Sequence, residues 1–366
     1  MQLSPSAKAI PGRPEKIPNM CQLAAYTGRR PVAPLLLDAL EYQEPLYGGH
    51  ATGIAAINGG KLTVVKGAGP VAHVMKTKPN ITKVKGTCAI AHSRYSDNAR
   101  DNPDYNLDEN AHPFTSDDGK LALMHNGKIT NYRDLWKELE KTHKFKSYSQ
   151  KVDDITDSEV AVHMLGDALA TGKNMVQAFQ AIAPKLEGFF LLAAIHTDEP
   201  ETITICNWHQ PCYLALGENE AMFTSSRRGL RDMATYMDRV YQPPKNSVIR
   251  LTRTTLETHT MDPDRNVPQL HMNPFQARRM ILETLREEGR KDIRQLYYEL
   301  HPEGWASVHG VLSNEWMTWR KTGVYTMNPY FELLEHMTED EDIDETTDPR
   351  TEGGIENVPR FSYVLG

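Results

Sequence analysis

Apolar residues recur along this chain with two different periods, and the periods separate by region. Short apolar runs at Gln22–Thr27, Thr52–Ile57 and Lys61–Val65 predict strands. The last two are joined by Asn58-Gly59-Gly60, the composition of a tight hairpin turn. Thr87–His92 and Lys120–His125 are apolar runs that end in polar residues. Over Asn131–His143, Ser158–Ala170 and Asn174–Leu186 the apolar positions recur at three and four residues, which predicts helices. Strand-like runs return at Gly188–Ile195, Thr202–Asn207, Cys212–Leu216, Ala221–Thr224 and Ser247–Thr252. Strands at both ends with helices between them predict a layered α/β or α+β unit.

Beyond this region the pattern changes. Asn273 followed by Pro274 reads as an N-cap with proline at the first helical position, and Gly289 as the stop after Glu288. Further helices are expected over Asp292–Leu300 and Trp305–Arg320, then a short extended Val324-Tyr325-Thr326, then a helix starting at Asn328-Pro329. Helices around a short extended piece resemble a winged helix. From Thr338 the composition turns acidic, with Glu339–Glu345 almost all Asp and Glu, and this tail is expected to be disordered.

Charge supports a boundary in the same place. The stretch from Leu270 carries 10 Lys and Arg against 18 Asp and Glu, a net of −8, while the rest of the chain carries 31 against 30. Met261-Asp262-Pro263-Asp264 and Pro268 read as the connector, within 260–273. The expected organisation is a leader over 1–20, a main domain over 21–265, a small helical domain over 273–337 and a tail over 338–366. The net charge of the whole chain, −7, argues against nucleic acid as a partner. No apolar run reaches the length of a membrane span, so no spanning helix is expected. The first twenty residues hold Pro5, Pro11, Pro14 and Pro18 and no apolar block, unlike a secretory signal. Four cysteines are too few for a disulfide scaffold in 366 residues, so a reducing cytoplasm is the expected location.

The chemistry begins at Met20-Cys21, directly before the first predicted strand. A cysteine there is where an N-terminal nucleophile would stand, its freed α-amine serving as base. An unperturbed α-amine titrates near 8, close enough to working pH to accept a proton. A single cysteine opening a strand is more often a small core residue. The wider sequence changes that weighing. Met20–Tyr26, Ala91–Tyr95, Glu109–Phe114 and Met124–Tyr132, followed by Thr156–Glu159, fall in the order found in class II glutamine amidotransferases. The ensemble resembles the glutaminase domain of glucosamine-6-phosphate synthase, over about Cys21 to Arg250. Leu40–Tyr42 and Ala51–Ile54 fit the same family's early helix and second strand.

The resemblance implies a four-layer αββα sandwich of the N-terminal-nucleophile hydrolase kind, with the small, winged-helix-like domain appended. It implies hydrolysis of glutamine to glutamate and ammonia through a thioester on Cys21, with no metal and no organic cofactor. Asn126, by its side-chain NH₂, and Gly127, by its backbone N–H, would hold the oxyanion. Arg94 would fork onto the substrate carboxylate. Asp157 would accept from the substrate α-ammonium while capping a helix. Tyr95 stands where the family usually has tryptophan and would cover the substrate, and His112 would hydrogen-bond at the pocket rim. Two departures accompany these matches. Ser96-Asp97-Asn98 and the loop Ala99–Asp108 replace the family's usual continuation, and Gln22 is bulkier than the residue that commonly follows the cysteine.

The leader leaves three readings open. Residues 1–20 are a propeptide, or translation begins at Met20, or the leader stays and the protein is a catalytically silent glutamine-binding or regulatory protein. About a hundred residues follow Leu270, without a Gly-rich phosphate loop or a strand–helix repeat. The ammonia is therefore expected to go to a separate synthase subunit or to be released, and an oligomer is compatible with the sequence. Gly67-Ala68-Gly69-Pro70 lacks the Lys-Ser/Thr of a phosphate loop, and His92, His112 and His125 lack metal-ligand spacing.

Overall fold

The computed structural model describes residues 20–208, 212–265, 272–293, 295–296, 306–312, 314–315 and 328–366. The predicted helix over 292–300 falls largely, and the extended Val324–Thr326 wholly, outside these residues; the helix predicted over 305–320 is described in part, and there it is not continuous, because the chain turns at 309–310 with Gly310 at φ 66°.

Two antiparallel sheets carry residues 22–260. The first contains β1 (Gln22–Thr27), β2 (Ala51–Asn58), β3 (Lys61–Ala68), β4 (Cys88–Arg94), β9 (Tyr213–Gly217), β10 (Glu220–Thr224) and β11 (Met237–Tyr241), in the order β11-β9-β10-β1-β4-β2-β3. The second contains β5 (Phe114–Thr115), β6 (Leu121–Ile129), β7 (Gly188–His196), β8 (Glu199–Trp208), β12 (Ser247–Leu251) and β13 (Leu256–Thr260), in the order β13-β12-β8-β7-β6-β5. Every predicted strand of this region is present. The hairpin between β2 and β3 turns at Gly59 and Gly60, with φ of 56° and 74°, the left-handed backbone that such a turn needs.

Strand alternation assigns the layers. On β1, Ala24 and Tyr26 pack against Leu36, Leu37 and Leu40 of helix α1 (Val32–Tyr47). Leu23 and Ala25 point the other way and meet Ala122, Met124 and Leu191 of the second sheet. The outer face of that sheet, through Leu121, Leu123, Phe190 and Leu192, packs on α5 (Asp157–Ala170) and α6 (Met175–Ile182). The order is helix, sheet, sheet, helix. The apolar runs of β1, β4 and β7 are continuous because both faces of these strands are covered. Shorter helices complete the layers: α2 (Val71–Thr77) packs on the α1 side, α4 (Tyr132–Leu139), shorter than the sequence pattern around 131–143 suggests, on the α5 side, and α3 (Asp97–Asp101) follows β4.

Asn273 caps α7 (Pro274–Glu288) by accepting from the Gln276 N–H, and the backbone leaves the helix at Gly289 with φ 72°. After β14 (Lys291–Asp292) and the partly described stretch comes α8 (Asn328–Glu339). The tail is a correction to the sequence reading. It is an antiparallel hairpin, β15 (Ile343–Glu352) and β16 (Ile355–Leu365), turning at Gly353-Gly354, and β14 adds to its other edge. Its acids do not repel one another into disorder because they are paired. Arg228 grips Glu345 with two 2.8 Å bonds, Arg290 grips Asp348, and Arg360 grips Glu352. Val358, Phe361 and Tyr363 are buried on one side of the hairpin or the other. Phe361 and Tyr363 join a core made by α7, α8, Tyr47, Tyr95 and Met20, so this C-terminal unit packs directly beside the start of β1, where the cysteine lies. No helix of the described residues is long and apolar enough to cross a membrane, and all four cysteines are free and buried.

Candidate active site

Cys21 opens β1, between β4 and β10 in the sheet. Its backbone N–H donates to Asn126 Oδ1 at 2.8 Å. Its Sγ lies 3.4 Å from both the carbonyl oxygen and the N–H of Tyr95, at the end of β4. The thiol is enclosed. Burial pushes it up to about 11, against the pull of the Tyr95 backbone and Arg94 and with an added push from Asp157. With residue 20 still attached, the sulfur is a neutral thiol at physiological pH. Met20 is buried in the core shared with α7 and α8.

Asn126 and Gly127 lie on β6, opposite Leu191 and Phe190 of β7. Gly127 has φ 132°, and a Cβ there would collide with the Phe189 carbonyl. The glycine is demanded first by the neighbouring strand, a reason additional to close approach by a substrate.

Arg94 and Asp157 line one cleft of about 380 Å³ together with Tyr105, Asn110, Ser147 and Thr156. Arg94 ends β4 and is buried, with one bond to the Tyr105 carbonyl at 3.3 Å, and burial lowers its guanidinium pKa. Asp157 starts α5. Burial would raise its carboxyl, but His125, the Ile129 N–H at 2.9 Å and Ser158 together hold it below the usual value. Arg94 and Asp157 are thus an opposite pair of charges in one cleft, and both act on the thiol. That is a complementary setting for the carboxylate and ammonium of an α-amino acid.

Two expectations change. The Tyr95 ring does not line the cleft. It packs edge-on to Tyr47 and stacks on His50 at 4.9 Å, its hydroxyl donates to Asp97 at 3.0 Å, and the Arg360 guanidinium lies over it. Only its backbone reaches the sulfur. His112 is not at the rim either. It is buried, precedes a cis bond to Pro113, stacks on His92 at 4.0 Å and meets Ser158 Oγ at 2.8 Å. Its hydrogen bond to Ser158 lies behind the site.

Sequence reasoning missed this supporting layer. Ser158 donates to Asp157, so its oxygen accepts from His112 Nε2–H at 2.8 Å and from His125 Nδ1–H at 2.9 Å. His92 Nε2 then meets the His125 carbonyl at 2.9 Å, one residue before Asn126. Burial drives His92 down to about 3 and His112 well below its ordinary value, so both are neutral. The only sequence signal was that each of the three histidines lies inside one of the matched segments. The bulky Gln22 is accommodated: its side chain accepts from Ser225, and the β1–β4 register is unbroken.

The site can be set beside known proteins. A profile described as a glutamine amidotransferase domain matches residues 100–232. The glutamine–fructose-6-phosphate aminotransferase (isomerizing) of Mycobacterium bovis is 33% identical over 225 residues, covering 60% of this chain and 33% of that protein. The protein of the same name from Pyrococcus horikoshii is 32% identical, covering 57% of this chain and 32% of its own length. The chain thus spans about a third of the length of these curated relatives. Among solved structures, glutamine phosphoribosylpyrophosphate amidotransferase from B. subtilis superposes with a TM-score of 0.58 at 18% identity, covering 80% of this chain and 64% of that one. The fold is therefore the α+β, antiparallel-sheet fold of N-terminal-nucleophile amidotransferases. Matched sequence and shared fold agree that this chain carries a class II glutamine amidotransferase domain.

Proposed function

We propose that the chain hydrolyses glutamine to glutamate and ammonia in a form whose first residue is Cys21. The observation that carries this reading is the 2.8 Å bond from the Cys21 nitrogen to Asn126 Oδ1. An amide whose oxygen orients the α-nitrogen has its NH₂ left to face the substrate. One side chain then positions the base and supplies an oxyanion donor, with the Gly127 N–H as the second. The thiol attacks the side-chain amide carbon of glutamine and its proton passes to the α-amine. The amine returns that proton to the leaving nitrogen as ammonia departs, leaving a thioester. Water, deprotonated by the same amine, releases glutamate and restores the thiol. Arg94 takes the substrate carboxylate and Asp157 the α-ammonium. His112 and Tyr95 act as positioning residues, His112 through Ser158 and Tyr95 through its backbone at the sulfur.

The enclosed, neutral thiol of the longer chain fits the same reading, because processing at Met20 would create the base that Cys21 lacks. It equally favours a second reading, a silent glutamine-binding protein that keeps its leader. N-terminal sequencing and a glutaminase assay on one sample separate the two. Activity confined to molecules beginning at Cys21, and abolished in Cys21→Ala, supports the enzyme. Full activity with Met1 retained would defeat the maturation step.

We also infer that the C-terminal unit is winged-helix-like. Its order of helix, two-residue strand, helix and hairpin, with the sheet order β14-β16-β15, supports this. Its acidic balance argues for a protein surface over DNA. Delivery of ammonia to a separate synthase subunit rests on analogy, and glutaminase activity that rises with partner and acceptor would support it.

A further inference from the structure

Away from the glutamine cleft, Asp117, His143 and His163 bring three potential ligand atoms within 4.8 Å of one another. Asp117 sits in the turn between β5 and β6, His143 follows α4, and His163 lies in the second turn of α5. Asp117 Oδ2 is 2.7 Å from His143 Nδ1 and 3.8 Å from His163 Nδ1. The far nitrogen of each ring faces a second carboxylate: His143 Nε2 lies 3.1 Å from Asp167 and His163 Nε2 lies 3.9 Å from Glu159.

His163 is the informative member. Its side chain is only 1% exposed, and neither ring nitrogen has a hydrogen-bond partner among the described residues. A buried imidazole with both nitrogens unpaired costs free energy on the order of 1–3 kcal/mol. Its Nδ1 aims at the Asp117 oxygen, where a cation bound between them would satisfy it.

We propose that Asp117, His143 and His163 bind a divalent first-row transition ion, with zinc the best-suited probe. Two imidazoles and a carboxylate are the donors that such ions take, at about 2.0–2.2 Å. Tetrahedral geometry at those lengths sets ligand atoms roughly 3.4 Å apart. The 2.7 and 3.8 Å separations bracket that value and the third pair lies within 4.8 Å, so side-chain shifts of about an ångström suffice. Asp167 and Glu159 then occupy the places of the carboxylates that commonly hold the outer N–H of a metal-bound histidine. A fourth position is left for water, on the side where the Asp117 carboxylate is 46% exposed. The ion would tie the segment after α4 to α5. Glu159 already holds the N–H groups of Lys146 and Ser147, and Ser147 lines the glutamine cleft, so the tie would stiffen one wall of that cleft.

The test is an equilibrium titration of the full chain with Zn²⁺ against a chromophoric chelator at neutral pH, in the Cys21→Ala background to remove the reactive thiol. Co²⁺ is used in parallel for its visible absorption. One equivalent bound, with a rise in melting temperature, is the expected result. Asp117→Asn and His143→Gln, both at solvent-accessible positions, are expected to lower the affinity at least about tenfold while remaining folded by circular dichroism. Folded parent protein that binds no stoichiometric zinc, or variants with unchanged affinity, would overturn the site. The first outcome would leave His143 as a hydrogen-bonded bridge between Asp117 and Asp167.

Discussion

At the scale of single residues, the site is a set of charges and donors whose roles separate by kinetics. Arg94→Lys keeps the charge but loses the planar fork, so KM for glutamine is expected to rise more than kcat falls. Asn126→Ala is expected to lower kcat by about 10²–10³-fold, the cost of one oxyanion donor. Steady-state glutaminase kinetics on matured protein check both. Glu44, on α1 behind the cysteine, offers a test by pH. Its buried carboxyl accepts from Ser93 Oγ at 2.6 Å and from the Val71 N–H, and burial raises it from 4.5 to about 7. The neutral carboxyl stabilises the fold fully below the unfolded value. That stabilisation is lost as pH rises through the folded value, because ionising a desolvated group costs more than ionising it in water. A shift of this size corresponds to about 3 kcal/mol. Denaturant unfolding of Glu44→Gln between pH 5 and 8 is expected to show a shallower decline than the parent protein.

At the scale of elements, the C-terminal hairpin and the loop after β4 belong together. Asn106 donates to the carbonyls of Ala99 and Gly353, both at 2.8 Å, which fastens the hairpin tip to the loop. His50 accepts from the Ser96 N–H at Nδ1, so its Nε2–H donates to Glu352, which also pairs with Arg360. The loop that departs from the family and the unanticipated hairpin thus explain each other. Glu352→Ala strands the buried Arg360 without its partner and is expected to cost about 3–5 kcal/mol, with Glu352→Gln costing less. Thermal and denaturant unfolding measure the difference. The hairpin was partly legible: Gly353-Gly354 is a turn signal, and Val358, Phe361 and Tyr363 are large apolar residues after it. The density of acids masked it, because charge pairing with Arg228 and Arg290 is visible only once distant segments meet.

At the scale of the whole molecule, the amidotransferase layers and the C-terminal unit share one core, in which Met20 lies beside Tyr47, Tyr95, Ile281 and Tyr330. Among the described residues of the unit that follows the connector, the long elements are α7, α8 and the hairpin. It shows no phosphate-binding loop among the described residues. Pure chain incubated with glutamine and fructose 6-phosphate is therefore expected to yield no amino sugar. Chromatographic detection of glucosamine 6-phosphate, with no other protein present, would contradict this.

The sequence by itself determined most strands of both sheets, though not β5, β11 or β13, the cap and stop of α7, and the order of the segments that make the site. Each of these is written locally, in residue period, turn chemistry or a short motif. Tertiary structure alone decided where Tyr95 and His112 point, because their surroundings come from α1, β4, α5 and the C-terminal hairpin. It alone joined Asp117 to His143 and His163, which have no common spacing. It alone turned an acidic stretch into an ordered hairpin, because Arg228 and Arg290, which offset part of its charge, lie elsewhere in the chain, Arg228 at 117 residues from Glu345.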